Sequence, residues 1–262
     1  VPEQNQTEEF TNLLPHAGIT YKWNDDVSSS FFVKKSYRSG GSELTLFNGV
    51  NNFDEEELWN YEMSLRAVVL DGQGVFNANA YYSDWTDQQV AIQEPGTTNA
   101  AFTMTVNTGQ STLSGAEISF TYEITDNLEL YTGLAISKTE YNEFVSPDGS
   151  QGFSGNNFKF APEETGVIGL NYATDNGLFV NTAVIYTGDS YSDVANTRKM
   201  DSYTLVNVNG GYAFDNLKLE AYVRNLTDDI YDTNNNISSS DGTLGMTLGA
   251  PRQVGARMTY SF

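Results

Sequence analysis

The chain has 262 residues and a formal net charge of -21, from 34 acidic and 13 basic side chains. This charge argues against a nucleic-acid partner, because phosphate groups attract Lys and Arg. The absence of cysteine excludes disulfides, thiol catalysis and Cys-ligated metals, and no apolar run approaches the roughly 18 residues of a transmembrane helix.

The composition is compatible with a membrane protein that is built from strands. The chain contains 16 Tyr, 15 Phe and 23 Gly, and sequences rich in aromatic residues and glycine favour twisted sheets with tight turns. A strand that spans a membrane needs only about 9–11 residues, of which every second one is apolar. Such strands escape a search for long apolar segments.

Alternation of apolar and polar residues recurs along the chain and predicts β-strands with one apolar and one polar face. It is clearest over 113–124, 217–225 and 252–262. The sequence predicts eleven such strands, near 14–23, 27–38, 58–70, 74–85, 113–124, 128–139, 164–173, 178–187, 203–213, 217–225 and 252–262.

The connections between these strands alternate in length. Short turns rich in Asn, Asp and Gly, which tolerate positive φ angles, follow every second strand. The remaining connections are long and polar, and they cover about 39–57, 86–112, 140–163, 188–202 and 226–251. Short turns at one end and long loops at the other are typical of outer-membrane barrels, with the short turns on the periplasmic side. The predicted fold class is therefore all-β, an antiparallel up-and-down meander of about eleven strands that forms part of a transmembrane outer-membrane β-barrel.

The apolar faces of the predicted strands suit lipid, because aromatic residues gather near the strand ends and aliphatic residues occupy the middles. The residues that suggest aromatic girdles are Tyr21, Trp23, Trp59, Tyr61, Tyr82, Tyr172, Tyr186, Tyr212 and Phe214. The side chains that we expect to point outward are those of Ile118, Tyr122, Leu219, Val223, Met258 and Tyr260. Those that we expect to line the concave, wet side are Glu117, Glu123, Glu220 and Arg257. The alternative is a soluble sandwich whose core holds the aromatic residues.

The sequence holds little that suggests catalysis or a bound cofactor. A Ser-His-Asp hydrolase would need the single histidine, His16, as its base, and no G-x-S-x-G motif is present. Candidate Ca²⁺ ligands are the carboxylates of Asp228, Asp229 and Asp232 and a second group within 238–242, but neither group has the spacing of a calcium-binding loop. We predict no catalytic, cofactor-binding or metal-binding residues, no cofactor and no enzymatic activity, and the sequence identifies no substrate contact.

Segments at both ends of the chain resemble those of a known family. The last strand resembles the C-terminal strand that the barrel-assembly machinery reads in bacterial outer-membrane proteins, through Val254, Ala256, Met258, Tyr260 and Phe262. The penultimate strand is followed by a segment similar to the NLTD..Y motif of TonB-dependent receptors, carried by Asn225, Leu226, Thr227, Asp228 and Tyr231. Further segments are similar to strands of that family in order and spacing, namely 37–41, 57–62, 81–89 and 251–257.

The resemblance implies that residues 1–262 are the C-terminal half of a TonB-dependent receptor β-barrel, without the plug domain and the N-terminal strands of the family's roughly 22-stranded barrel. It implies an active transporter for a scarce nutrient, most often a ferric siderophore, in the outer membrane of a Gram-negative bacterium. The implied partners are outer-membrane lipid, the barrel-assembly machinery, a ferric siderophore or similar small ligand, and a TonB-type energy-coupling protein that acts only through the missing plug. The alternative is a passive porin-like barrel or an adhesive outer-membrane β-protein without energy coupling.

An odd number of strands sets a condition on closure. The first and last predicted strands both run from the loop side to the turn side, so they cannot pair with each other in an antiparallel manner. We therefore expect 14–23 and 252–262 to be open edges of a curved sheet. The alternative is a missed strand within 97–108, which would restore an even number and allow a small barrel to close.

Overall fold

A single antiparallel sheet dominates the computed structural model, which describes residues 11–46, 49–95, 102–237 and 244–261. This sheet, which we call the wall, has eleven strands, and neighbours in the wall follow one another along the chain. The wall strands are β1 (His16–Lys22), β2 (Val27–Arg38), β5 (Glu56–Val69), β6 (Gly74–Thr86), β9 (Gln110–Thr125), β10 (Leu128–Glu143), β11 (Glu164–Ala173), β12 (Leu178–Thr187), β15 (Tyr203–Phe214), β16 (Leu217–Arg224) and β19 (Gln253–Tyr260). The predicted meander is confirmed, and these strands make no Greek-key crossing.

Four long connections contain hairpins, although the sequence predicted them only as polar loops. The hairpins are β3 (Gly41–Thr45) with β4 (Gly49–Phe53), β7 (Gln89–Gln93) with β8 (Thr103–Asn107), β13 (Ser190–Tyr191) with β14 (Lys199–Met200), and β17 (Asp232–Ile237) with β18 (Leu244–Leu248). The short connections lie at the opposite end of the wall, and one of them forms a single 3-10 turn at Leu70–Gly72. In the part of the chain that the structure describes, no helix is long and apolar enough to cross a membrane.

Strands β9 and β10 extend further toward the loop side than the alternation predicted. They remain paired as far as Gln110 and Glu143. Their loop ends are buried beneath the long connections, where Ser111 is 0% exposed and Tyr141 is 2% exposed. Alternation marks a strand that has lipid on one face and water on the other, so it ends where both faces are covered by protein.

The short turns are built from the residues that the sequence indicated. In the first turn, Oδ1 of Asn24 accepts hydrogen bonds from the backbone N–H groups of Asp26 and Val27, at 2.9 and 2.7 Å. Gly177 in a later turn has a φ of +96°, and a β-carbon there would lie 2.1 Å from the carbonyl oxygen of Ala213. Glycine is therefore required at 177 for two neighbouring turns to approach each other.

The strand register separates an apolar face of the wall from a polar face, because directly paired residues lie on the same face of a sheet. One row across the wall pairs Leu65 with Ala78, Ala78 with Ile118, and Ile118 with Leu134. The adjacent row on the other face is polar. In it, Arg66 donates to Asn77 and Asn77 donates to Ser119, each at 3.2 Å.

Side-chain exposure alone does not distinguish the two faces, contrary to expectation. Among the residues expected to point outward, Ile118, Leu219, Met258 and Tyr260 are exposed, whereas Tyr122 and Val223 are half-buried. Among the charged residues of the opposite face, Glu117, Glu123 and Arg257 are exposed as well, and Glu220 is half-buried. The reason is that an open, single-layered sheet leaves both of its faces accessible. The register keeps the two sets apart, since Leu219 pairs with Met258 and Glu220 pairs with Arg257.

Aromatic side chains lie near both ends of the apolar face, as the sequence predicted. Toward the loop side, Tyr61 and Tyr82 are directly paired, and their ring centroids are 6.4 Å apart. Toward the turn side, the rings of Tyr212 and Phe214 are 4.5 Å apart. These positions suit the two polar boundaries of a bilayer.

The two outer strands of the wall are open edges. Within the described ranges, β1 pairs only with β2, and β19 pairs only with β16. The alternative of a missed wall strand within 97–108 is wrong, because Thr103–Asn107 pairs with Gln89–Gln93 in a hairpin outside the wall. The expectation of an open, odd-numbered sheet is therefore confirmed for this chain.

The buried apolar cluster lies among the loops and the loop end of β10, beyond the part of the wall that alternates. Alternate residues of β7 and β8 point to one face of their hairpin and pack against aromatic residues of the connection that follows β10. This loop cluster consists of Val90, Ile92, Met104, Val106, Tyr141, Phe144, Phe153 and Val194, with Phe158 and Ala195 at its margin. Tight aromatic contacts hold it together, and the rings of Phe144 and Phe153 are 4.9 Å apart.

Candidate functional site

A cleft of about 520 Å³ opens beside the loop cluster, and we call it the loop-side cleft. Four separate connections contribute to it: the β7–β8 hairpin, the segment after β10, the turn between β13 and β14, and strand β17. Ile92, Phe153 and Val194 form an apolar part of its lining and belong to the loop cluster as well. The loop cluster contains residues of three of these connections and thus holds those three in place around one cavity.

Two cationic side chains line the loop-side cleft, Lys159 and Arg198. The ammonium group of Lys159 donates a hydrogen bond to the carbonyl oxygen of Ala91 at 3.0 Å. Burial, and then the positive charge of Arg198, lower the pKa of Lys159 below its usual value. The two cations therefore repel each other, and the carboxylate of Asp193, 3.6 Å from Nε of Arg198, offsets part of that repulsion.

The guanidinium group of Arg198 has hydrogen-bonding capacity that the protein does not use. Its Nε and Nη1 atoms are buried and have no hydrogen-bond partner. Nε lies 3.6 Å from Oδ2 of Asp193, which is within ion-pair range but too long for a hydrogen bond. Buried N–H groups are paired in the great majority of folded proteins, so an unpaired guanidinium needs an explanation.

The carboxylates that line the cleft already accept hydrogen bonds from the protein. Asp193 accepts from the backbone N–H groups of Thr197 and Arg198 at 3.0 and 2.9 Å and from Oγ1 of Thr197 at 2.6 Å. The carboxylate of Glu94 is 1% exposed and accepts from the backbone N–H of Leu46 at 3.2 Å. These acidic groups hold the loops, so they are not free acceptors for a bound molecule.

Asp148 stands at the rim of the same cleft in a tight polar turn. Its Oδ1 accepts hydrogen bonds from Oγ of Ser146 at 2.7 Å and from the backbone N–H of Ser150 at 3.0 Å. The hydrogen bond from the Ser146 hydroxyl and those from Ser150 lower the pKa of Asp148 to about 2. The carboxylate is therefore charged at neutral pH and fully engaged in its own turn.

The NLTD..Y segment forms a second organised site, at the base of the connection between β16 and β19. Asn225 is 3% exposed and has a φ of +50°, a left-handed conformation that Asn tolerates better than most residues. Its Nδ2 donates to the carbonyl oxygens of Asp229 and Ala250, at 2.9 and 3.1 Å. One side chain therefore joins the two ends of the connection.

The remaining motif residues support the same junction in different ways. The carboxylate of Asp228 accepts from the backbone N–H of Arg252 at 2.9 Å, and the ring of Tyr231 lies 4.2 Å from that of Tyr203. Tyr231 also covers Gly249, where a β-carbon would lie 2.0 Å from the ring. The side chains of Leu226 and Thr227 are exposed.

The comparisons with known proteins agree with this arrangement of a wall and organised loops. Residues 2–226 match the family described as TonB dependent receptor-like, beta-barrel. The chain belongs to this family. It is 26% identical over 235 residues to a probable TonB-dependent siderophore receptor, PiuA, of Acinetobacter baumannii, covering 83% of this chain and 30% of that protein. It is 25% identical over 256 residues to the ferrichrome outer membrane transporter/phage receptor of Escherichia coli, covering 94% of this chain and 31% of that protein.

Solved structures show the same fold. The ferric yersiniabactin uptake receptor FyuA from Yersinia pestis superposes with a TM-score of 0.80 at 20% identity, covering 95% of this chain and 37% of that one. The chain of this TonB-dependent receptor-like protein therefore spans less than a third of the length of the two curated relatives and little more than a third of the solved receptor. The predicted family, fold class and outer-membrane location are confirmed.

The predicted barrel-assembly signal lies on the apolar face of β19, the strand at one edge of the wall. Val254, Met258 and Tyr260 are 74%, 71% and 55% exposed, and Ala256 is exposed between them. They pair with Val223, Leu219, Leu217 and Ala221 of β16 on the same face. Phe262, the last residue of the signal, lies outside the described residues. The role of this strand in assembly stays a prediction.

The other residues singled out by the sequence do not form a site. His16 is exposed on β1, with its ring 6.5 Å from that of Phe32. In the part of the chain that the structure describes, no group of three or more His, Asp or Glu side chains could hold a metal ion. The carboxylates of Asp228 and Asp229 instead accept hydrogen bonds from the backbone N–H groups of Arg252 and Thr204, at 2.9 and 3.3 Å. The second calcium candidate, 238–242, lies outside the described residues.

Sequence reasoning did not single out Lys159 and Arg198. One signal was available, because basic residues are scarce in this chain, with 13 Lys and Arg against 34 Asp and Glu. A basic residue inside a long polar connection is therefore unusual here. Alternation of apolar and polar residues identifies strands only, so it gives no information about basic residues within the long connections.

Proposed function

We propose that this chain is the C-terminal half of the barrel wall of an outer-membrane TonB-dependent active transporter, which carries a ferric siderophore. The observation that supports it best is the open eleven-stranded wall in a chain that belongs to the receptor family. A probable TonB-dependent siderophore receptor and a ferrichrome outer membrane transporter/phage receptor are among its relatives. On this proposal the chain catalyses no reaction and needs no cofactor.

The open edges define what the rest of the receptor has to supply. Strands β1 and β19 both run from the loop side to the turn side, so an antiparallel wall closes only with an odd number of further strands. On this proposal those strands and a plug domain lie in the remainder of the receptor. The plug carries the contact with the energy-coupling protein, lipid surrounds the apolar face, and the barrel-assembly machinery inserts the whole wall.

Uptake by whole cells tests the proposed function. Cells that produce the full-length receptor are supplied with radiolabelled ferric siderophores, with and without a functional TonB-type protein. We expect saturable uptake that is lost without energy coupling, and recovery of the siderophore chemically unchanged. Uptake that persists without coupling would instead indicate a passive pore, and adhesion without uptake would indicate a binding protein.

Disulfide cross-linking in the full-length receptor tests the arrangement of the wall. The chain contains no cysteine, so introduced pairs are the only thiols that it contributes. Leu219→Cys with Met258→Cys joins two directly paired positions and should cross-link readily. Ile19→Cys with Val254→Cys joins the two open edges and should not cross-link. Efficient cross-linking of the second pair would show that the chain closes on itself.

A further inference from the structure

The loop-side cleft contains two positively charged side chains and buried N–H donors that have no hydrogen-bond acceptor. The buried Nε and Nη1 atoms of Arg198 carry three N–H donors between them and have no hydrogen-bond partner, and the ammonium group of Lys159, which can donate three hydrogen bonds, makes one. The two cations come from different connections, one before β11 and the other just before β14. A partner that accepts from both would hold these connections together.

Among the described residues, no carboxylate of the cleft accepts a hydrogen bond from the buried Nε and Nη1 atoms of Arg198, although Asp193 forms an ion pair with it. Asp193 approaches Arg198 only to 3.6 Å and is occupied by Thr197 and by the backbone N–H of Arg198. Asp148 is held in its own turn by Ser146 and Ser150, and Glu94 is 1% exposed and bonded to the backbone of Leu46. None of the described carboxylates satisfies these donors, and an oxygen acceptor of a bound molecule would fit them.

Two cationic side chains in one cleft are unusual in a chain whose acidic side chains far outnumber its basic ones. The chain carries -21, so its surface as a whole repels anions. The cleft itself is lined by Glu94, Asp148 and Asp193 as well as by the two cations, so an anion would be held there by hydrogen bonds from Arg198 and Lys159 and not by a net positive charge. Arginine also presents several donors in a planar fork, which matches two oxygen atoms of one anionic group.

We infer that the loop-side cleft binds an oxyanion of a small ligand between the Arg198 guanidinium and the Lys159 ammonium groups, and that this pair selects anionic over uncharged ferric chelates. The inference rests on the proposed function for the kind of ligand, but the oxyanion site itself does not. Asn234 also lines the cleft, and its buried side-chain oxygen has no partner. A ligand hydroxyl or amide N–H beside the oxyanion would satisfy it.

Binding measurements on the purified full-length receptor test the inference. The probes are an anionic ferric tris-catecholate, an uncharged ferric trihydroxamate, and citrate as an iron-free oxyanion. Arg198→Gln should weaken binding of the tris-catecholate about 10- to 100-fold, because it removes charge-assisted hydrogen bonds in a buried site. Lys159→Gln should weaken it about 10-fold, and both variants should change binding of the uncharged chelate less than about threefold.

Two control variants remove the same charges outside the cleft. Arg38→Gln acts at the exposed loop end of β2, and Lys138→Gln acts on a side chain that is 72% exposed. Both should change binding of every probe less than about threefold. Arg198→Lys keeps the charge but loses the planar fork, so it should restore only part of the affinity. Protease resistance of the loops shows that each variant is folded.

The possible outcomes separate the inference from the proposed function. If the cleft variants behave like the control variants, or weaken binding of charged and uncharged chelates equally, the inference is overturned while the transporter stands. If no ferric chelate is bound or transported, the proposed function fails. The oxyanion site is then supported by binding of citrate that depends on Arg198 and Lys159, and it is overturned when citrate binding is absent or independent of both.

Discussion

The wall and the loop cluster treat their apolar side chains in opposite ways: the wall exposes them, and the loop cluster buries them. In the wall, large apolar side chains face outward, and Met258, Ile136 and Leu134 are 71%, 61% and 55% exposed. In the loop cluster, Phe144 and Tyr141 are 1% and 2% exposed. The wall leaves its apolar surface for lipid to cover, whereas the loops bury theirs against one another in water. The loops are therefore an organised layer with a core of their own, and their packing forms the cleft beside that core.

The largest expected effect comes from removing a buried ring from the loop cluster. Phe144→Ala should destabilise the loop layer by about 3–5 kcal/mol, because it leaves a cavity in the aromatic core. The wall should persist, so hydrogen exchange in the loops should rise while the heat-modifiable migration of the folded barrel is retained. Ile136→Ala, at a 61% exposed wall position, is the matched control and should leave loop exchange unchanged. Equal loss of the wall and the loops in Phe144→Ala would contradict the separation of the two regions.

A pair of arginine substitutions tests which face of the wall meets lipid. Leu134→Arg places a charge on the apolar face and should destabilise the inserted barrel by about 2–4 kcal/mol if it lies near the bilayer centre. Ala135→Arg places the same charge on the opposite face, where its directly paired neighbours are Glu117 and Thr165, and should cost little. Denaturant unfolding in lipid vesicles measures both. A larger effect from Ala135→Arg would mean that the faces are assigned the wrong way round.

The NLTD..Y junction lies where the wall meets the connection between β16 and β19. Its loss should destabilise the base of that connection. Asn225→Ala removes three hydrogen bonds, two donated to the carbonyl oxygens of Asp229 and Ala250 and one accepted from the N–H of Asp229, so it should cost about 1–3 kcal/mol. We expect faster protease cleavage within 226–252 and no change in the loop cluster. Asn225→Asp keeps an acceptor for the backbone N–H of Asp229 but places a buried carboxylate against the carbonyl oxygens of Asp229 and Ala250, so it should be cleaved at least as fast as Asn225→Ala. Wild-type resistance in Asn225→Ala would show that the junction is dispensable.

The smallest effect concerns the turn at the rim of the cleft. Hydrogen bonds lower the pKa of Asp148 to about 2, so its charged form stabilises the turn at pH values above the ordinary carboxyl pKa. This contribution should be lost as pH falls through about 2. Hydrogen exchange at the backbone N–H of Ser150 should therefore stay slow at pH 4 and accelerate only near the lower limit. In Asp148→Asn that acceleration should disappear, and a midpoint near the ordinary value in the wild type would contradict the assignment.

Much of the wall follows from the sequence alone. Period-two alternation, the Asn and Asp turns and the contrast in loop length predicted all eleven wall strands, with most bounds within two or three residues of the structure. Alternation is a local property that lipid and water impose on each strand independently, so it needs no knowledge of distant residues. The same rule failed at the loop ends of β9 and β10, where protein and not lipid covers Tyr141.

The cleft and the motif junction were decided only by tertiary structure. Lys159 and Arg198 are almost forty positions apart and meet because the β7–β8 hairpin, Phe144 and Phe153 form a core between their connections. Asn225 was recognisable as part of a motif, but its contacts with Asp229 and Ala250 depend on how the ends of a long connection meet. Contacts between distant loops have no sequence period, because irregular backbone is fixed by the particular side chains that pack around it. The sequence therefore determined the wall as a membrane sheet, and the packing of the loops determined where a ligand can be held.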